Sequence, residues 1–150
     1  MRAKFYASTV CYLECEEKIL FLKFHKKWGK RYAPPGGKVD ENETPSECVI
    51  REFKEETGVT LKNPKLKGIS YWKDHTEGII FVYVANEYEG SITESVEGRL
   101  EWIRKADVLS LEQFEMNKKF TKYVFEDGMF EGKFILDDDT NVKEYSIIKI

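Results

Sequence analysis

Cysteine is scarce in this chain, with only Cys11, Cys15 and Cys48 among 150 residues. So small and odd a set supports neither a disulfide framework nor paired CxxC metal spacing, and the thiols are expected to be reduced and partly buried. Long apolar runs are missing as well. No stretch reaches the length of a membrane span, and the N-terminus enters Phe5-Tyr6-Ala7-Ser8-Thr9-Val10 without the basic and apolar regions of a signal peptide. These absences point to a cytoplasmic protein without a membrane partner. Charge of one sign does not accumulate either. A net charge of −3 argues against a surface for nucleic-acid polymers, while leaving room for a small nucleotide held through metal. No linker, repeat or low-complexity tract interrupts the chain, and its length suits one domain spanning 1–150. Monomer and homodimer remain equally open.

What is present reads as alternating strands and helices. Aromatic and β-branched content predicts strands over 4–13 and 19–24, joined by a polar turn at 14–18. Residues 25–37 read as a loop rich in glycine, proline and basic residues. Its Pro34-Pro35-Gly36-Gly37 end forces an extended and then tightly turned backbone, a way to aim a carbonyl. Downstream, 66–73 and 78–88 suggest a long hairpin, 100–104 a short strand and 105–109 one helical turn. The spacing of Leu111, Phe114, Tyr123 and Val124 predicts a second main helix over 111–126. A closing hairpin is expected from 130–136 and 142–150. Its connection, Asp137-Asp138-Asp139-Thr140-Asn141, lacks the glycine and glutamate of a calcium-binding loop and reads as a polar turn. The mixture fits the α/β class, as an α/β/α sandwich with a mixed sheet.

The first main helix is announced most clearly. Thr44 can serve as N-cap, Pro45 occupies the first helical position, Glu47 can close a capping box, and Gly58 offers a left-handed stop. At about 100° per residue, Val49, Ile50 and Phe53 make an apolar stripe with Glu52, Glu55 and Glu56 beside it. Three carboxylates near the negative end of a helix repel one another and the macrodipole. A bound cation would reverse both penalties, and oxygen donors at this spacing suit a hard ion such as Mg²⁺ that shares its shell with phosphates.

Gly37, Glu43, Arg51-Glu52-Phe53, Glu55-Glu56 and Gly58-Val59, at these intervals, resemble the Nudix box. Phe53 is the one mild departure, at a position where the family more often carries an aliphatic side chain. The resemblance implies Mg²⁺- or Mn²⁺-dependent hydrolysis of a nucleoside diphosphate linked to another group. It also implies site roles. Glu52, Glu55 and Glu56 match the metal-binding carboxylates, the Gly37 carbonyl matches a backbone ligand, and Arg51 with Glu43 matches the pair that orients the site.

Outside the box, the Glu97-Gly98-Arg99-Leu100-Glu101-Trp102 segment, the helix after it and the Phe130-Glu131-Gly132-Lys133-Phe134 hairpin are similar to the MutT and MutX type of 8-oxo-dGTP diphosphatases. By that likeness Glu97 is a further metal ligand or general base, an alternative to Glu52 in the latter role. Asn117 falls near a purine-reading amide, and an amide can present both donor and acceptor to a purine edge. Lys23 and Lys38 are candidate phosphate contacts. Trp28 and Tyr32, with Phe24 and Trp72, are candidate stacking residues, whereas His25 and His75 read as surface residues. The expected reaction converts a nucleoside triphosphate, such as an oxidised purine, to monophosphate and pyrophosphate. Alternatives are ADP-ribose, a nucleotide sugar or a dinucleoside polyphosphate as substrate, or a nucleotide sensor without turnover. Retention of every box carboxylate argues against the sensor.

Overall fold

The structure, a computed structural model, describes residues 4–25, 29–93, 95 and 97–150. Strand β1 (Phe5–Cys15) leads through a tight turn into β2 (Lys18–Phe24). Glu16 and Glu17 take positive φ of 51° and 63° there, the twist favoured in two-residue hairpins. Next come β3 (Tyr32–Ala33), β4 (Gly36–Lys38), helix α1 (Pro45–Thr57), β5 (Thr60–Lys62), β6 (Lys65–Lys73), β7 (Glu77–Ala85), β8 (Glu87–Glu89) and β9 (Gly98–Arg104). A 3-10 turn (Lys105–Ser110), helix α2 (Glu115–Val124), β10 (Phe130–Leu136) and β11 (Val142–Lys149) complete the order.

The main sheet runs β11-β10-β6-β7-β1-β2-β3, with β4 paired to β1 and β9 paired to β2. It is mixed, because β1 lies parallel to β7 and β6 parallel to β10, while the other ladders are antiparallel. Two cores form on its two faces. Cys11, Leu13, Leu20, Val49, Phe53, Val59 and Leu61 are buried together on the α1 side. Tyr12, Phe21, Val82, Phe120, Phe130 and Phe134 are buried together on the α2 side. Alternation along β1 explains the division, since successive strand side chains point to opposite faces. The α/β/α sandwich with a mixed sheet is thus present. All three cysteines are free, with Cys11 and Cys48 buried, and burial pushes both thiols upward in pKa.

Helix α1 follows its sequence signals closely. Thr44 accepts the Glu47 amide at 3.2 Å, Glu47 accepts the Thr44 amide at 2.9 Å, and Gly58 ends the helix at φ 87°.

Four expectations need correction. The stretch 25–37 is not all loop, because Tyr32–Ala33 pairs with β2 and Gly36 starts the strand that pairs with β1. The strand expected over 78–88 ends at Ala85, and Glu87–Glu89 instead pairs with β5 in a separate two-stranded sheet. There the buried Leu61 faces Tyr88 and closes the α1 core. The second helix begins at Glu115 rather than at 111. The Glu112 carbonyl is taken by the Tyr32 amide at 2.7 Å, and Phe114 is extended at φ −56°, ψ 140°. That helix also stops at Val124, short of 126.

Candidate active site

The geometry of the site begins at β4, where a glycine pair lets the backbone approach α1 closely. A Cβ on Gly37 would land on the Glu52 carboxylate, and one on Gly36 would land on the Thr9 carbonyl of β1. The Gly36 amide donates to Glu56 Oε2 at 3.1 Å. The Gly37 carbonyl is oriented by two neighbours: Thr9 Oγ1 donates to it at 3.2 Å and Cys48 Sγ lies 3.5 Å from it. With Cys48, Val49 and Phe53 buried on one side of α1, Arg51, Glu52 and Glu56 are half-buried, the two glutamates against β4, and Glu55 is exposed.

Arg51 ties these carboxylates together. Its Nε and Nη2 donate to Glu43 Oε2 and Oε1 at 2.7 and 2.9 Å, a two-pronged fork. Nη1 donates to Glu52 Oε1 at 2.9 Å and reaches Glu55 at 3.3 Å. Nη2 also meets the Lys38 carbonyl at 3.1 Å and Asp40 at 3.2 Å. These hydrogen bonds, with the Asp40 amide donating to Glu43, hold the Glu43 carboxyl down at about 2. Arg51 thus pairs with Glu55, one of the two surface partners that helical spacing offers, and Glu47 is spent in the capping box.

Glu97 arrives from outside the helix. The Thr93 amide donates to the Thr57 carbonyl at 2.7 Å, fastening the segment before β9 to the end of α1. The His25 amide donates to the Glu97 carbonyl at 3.2 Å, fastening the same segment to the end of β2. Glu97 is thereby set beside Glu56. The Glu56 carboxyl rises to about 7, chiefly through burial, opposed by the Gly36 amide and reinforced by the neighbouring Glu97 and Glu52 carboxylates.

The carboxylates of Glu52, Glu55, Glu56 and Glu97 and the carbonyl of Gly37, the groups that could hold a metal, offer oxygen donors alone. That chemistry fits a hard cation such as Mg²⁺ or Mn²⁺, and a glycine at 37 leaves the space the Glu52 carboxylate occupies. Among the described residues, no three carboxylate, imidazole or thiol groups are gathered closely enough to hold a metal ion, and Arg51 engages both Glu52 and Glu55.

Of the residues expected to meet substrate, Lys38 and Lys23 lie along the α2 side of the sheet, with Nζ 4.8 Å from the Tyr6 ring and 5.5 Å from the Tyr32 ring respectively. Tyr32 packs against the α2 core. Asn117 is buried in the first turn of α2, its carbonyl accepting Thr121 Oγ1 at 2.6 Å. Trp72 stacks on Tyr6 with ring centroids 6.3 Å apart, and Phe24 is half-buried at the end of β2. His25 and His75 are exposed. Trp28 lies outside the described residues.

Three contributors were not singled out from sequence. Thr9 and Cys48 hold the Gly37 carbonyl, and Tyr6 joins Trp72 and Lys38. Alternation along β1 carried a signal for Tyr6, because it falls on the same face as Tyr12. Thr9 and Cys48 meet across 39 positions, so no local pattern shows them.

The profile of the NUDIX domain matches residues 4–128. The chain is 31% identical over 148 residues to the uncharacterized Nudix hydrolase YvcI of Bacillus subtilis, covering 93% of this chain and 92% of that one. Shorter matches join it to the ADP-ribose pyrophosphatase of Methanocaldococcus jannaschii, 38% identical over 47% of this chain and 45% of the relative. The 8-oxo-dGTP diphosphatase of Haemophilus influenzae is 40% identical over 37% of this chain and 42% of its own length. The crystal structure of the mutator MutT protein from Bacillus halodurans superposes with a TM-score of 0.88 at 32% identity, covering 95% of this chain and 97% of that one.

Proposed function

Because this chain belongs to the Nudix hydrolase family, we propose that it is a divalent-metal-dependent pyrophosphohydrolase. It cleaves a nucleoside triphosphate, an oxidised purine such as 8-oxo-dGTP, to the monophosphate and pyrophosphate. The observation that carries this reading is the meeting of Glu97, from the segment before β9, with Glu56 of α1 beside the Gly36-Gly37 strand. A bound Mg²⁺ or Mn²⁺ supplies charge neutralisation at phosphate oxygens and acidifies an attacking water. Glu52, Glu55, Glu56, Glu97 and the Gly37 carbonyl would hold it.

The remaining work falls to the protein. Arg51, anchored on Glu43, keeps Glu52 in place. Water attacks phosphorus, one phosphorus–oxygen bond forms as the bridging one breaks, and the water proton passes to Glu52 or Glu97. Lys23 and Lys38 neutralise phosphate charge, Tyr32 offers a face for stacking, and the buried Asn117 reads the base.

Product analysis tests the reading: ordinary and oxidised nucleoside triphosphates, ADP-ribose and diadenosine polyphosphates are each incubated with protein and Mg²⁺. Pyrophosphate and a monophosphate from the triphosphates support it. The similarity to an ADP-ribose pyrophosphatase favours one second reading, in which AMP and ribose 5-phosphate form from ADP-ribose while the triphosphates survive.

A further inference from the structure

The α2 core is left open at one end. A cavity of about 560 Å³ lies between the end of α2, the ends of β1 and β7 and the start of β6. Its floor is made by Tyr12, Ile19, Val84, Val124 and Phe125, and Val84 and Phe125 are only half-buried there. That volume falls among small-molecule pockets, roughly 300–1,000 Å³. Asn117 lies in the first turn of α2 and Phe125 follows its last residue, so roughly 12 Å of helix rise separates this cavity from Asn117.

Two walls hold the cavity in shape. On one, Lys105 Nζ stands 3.2 Å from the Glu14 carboxylate and 5.2 Å from the centre of the Phe125 ring. Phe125 meets Tyr12 edge-on with ring centroids 6.2 Å apart, and the Tyr12 hydroxyl is anchored 2.8 Å from Thr121 Oγ1. On the other wall, the Lys67 ammonium donates to the Glu126 carbonyl and ties β6 to the end of α2. All these contacts are made by the protein alone, so the cavity is organised in advance of a ligand.

Charge is divided across its mouth. Glu14 and Glu16 stand at the turn between β1 and β2, whereas Lys65 and Lys67 stand on β6. Glu14 is neutralised by Lys105, and Glu126 by Lys149 at 2.8 Å. Lys65 is exposed and makes no ion pair among the described residues, while Lys67 meets an uncharged carbonyl. The β6 rim thus carries two ammonium groups without a carboxylate partner, next to an apolar floor that ends in an aromatic ring.

We propose that this cavity is a second ligand site, taking a small amphipathic anion. A ring or short hydrocarbon body rests on Phe125, Tyr12 and Val84, and a carboxylate, sulfonate or phosphate head meets Lys65 and Lys67. Burial of the body supplies affinity, and the two ammonium groups select the charge and fix the orientation. The site stands apart from the nucleotide reading, because it opens on the α2 side of the sheet and the carboxylates of α1 lie on the other side beside β4.

Amide chemical shifts of the full chain, titrated with 1-anilinonaphthalene-8-sulfonate, test this. Saturable shifts at Asn63, Lys65, Asn86, Lys105 and Phe125 are expected, with Asn117 and Tyr32 unmoved. N-phenyl-1-naphthylamine, the same rings without the sulfonate, should bind about tenfold more weakly. Lys65→Glu should weaken sulfonate binding by about tenfold, and Lys65→Arg by less than about twofold. Absence of saturation, shifts centred on Asn117, equal binding of the two probes, or unchanged affinity in Lys65→Glu would each overturn the proposal. The spectrum of Lys65→Glu is its own control for folding: dispersed peaks are expected, and a collapsed spectrum would make Lys65 structural and also overturn it.

Discussion

Arg51 grips Glu43 through two parallel hydrogen bonds of 2.7 and 2.9 Å, and with its remaining nitrogen reaches Glu52 at 2.9 Å. The planar fork makes this possible, and a lysine ammonium cannot reproduce it. Arg51→Lys is therefore expected to lower kcat/KM by roughly 10- to 100-fold, the usual cost of losing a partner that orients a metal ligand. Steady-state kinetics in saturating Mg²⁺ checks this, and a variant within twofold of normal would remove Arg51 from the account.

The same pair predicts an acid response. The Glu43 carboxyl is lowered from an ordinary value of 4.5 to about 2, so its contribution to stability is complete above pH 4.5 and disappears as pH falls through 2. Glu43→Gln should flatten that part of a melting-temperature profile between pH 5 and 2. An identical acid slope in both proteins would contradict the pairing.

Glu56 behaves in the opposite sense. Its carboxyl is raised from 4.5 to about 7 in the metal-free protein, so the folded chain keeps a proton that the unfolded chain releases across that window. Its stabilising effect is full below pH 4.5 and lost as pH rises through 7. In EDTA, Glu56→Gln should remove this decline and melt higher than the unaltered protein at pH 8. Added Mg²⁺ should raise the melting point of the unaltered protein more at pH 8 than at pH 6. Parallel pH profiles for protein and variant would show that Glu56 titrates normally.

Gly37 leaves no room for a side chain, because a Cβ would coincide with the Glu52 carboxylate. Glu52 is partly exposed and can swing away, so Gly37→Ala should fold with little loss of stability and lose activity and Mn²⁺ affinity together. Gly36→Ala would instead collide with the β1 backbone and should cost about 1–3 kcal/mol in urea unfolding, the scale of overpacking. Full Mn²⁺ binding by Gly37→Ala would argue against this carbonyl as a ligand.

Phe53, the aromatic at a position where aliphatic side chains are commoner in the family, is completely buried beneath α1 with Val49, Leu20 and Val59. Phe53→Ala should destabilise the chain by about 3–5 kcal/mol, combining lost transfer energy with the cavity left behind. Chemical denaturation measures this directly, and a loss under 1 kcal/mol would mean that the core refills the space.

Helix α1 was legible because its determinants are local: Thr44, Glu47 and Gly58 act within four residues of the groups they satisfy. The Arg51, Glu52, Glu55 and Glu56 arrangement was legible for the same reason, since one helix sets its spacing. Strands β3 and β4 were not, because two and three residues carry too little pattern and owe their form to β2 and β1. The onset of α2 was misplaced because Tyr32, some eighty positions earlier, takes the Glu112 carbonyl.

The carboxylate cradle is tested most directly by Mg²⁺-dependent pyrophosphate release from nucleoside triphosphates, ordinary and oxidised, by the unaltered protein, Glu55→Gln and Glu56→Gln, each with its circular dichroism spectrum. Release by the unaltered protein, reduced by orders of magnitude in both variants with the spectrum unchanged, is the predicted result. Near-normal release by both variants would contradict the account.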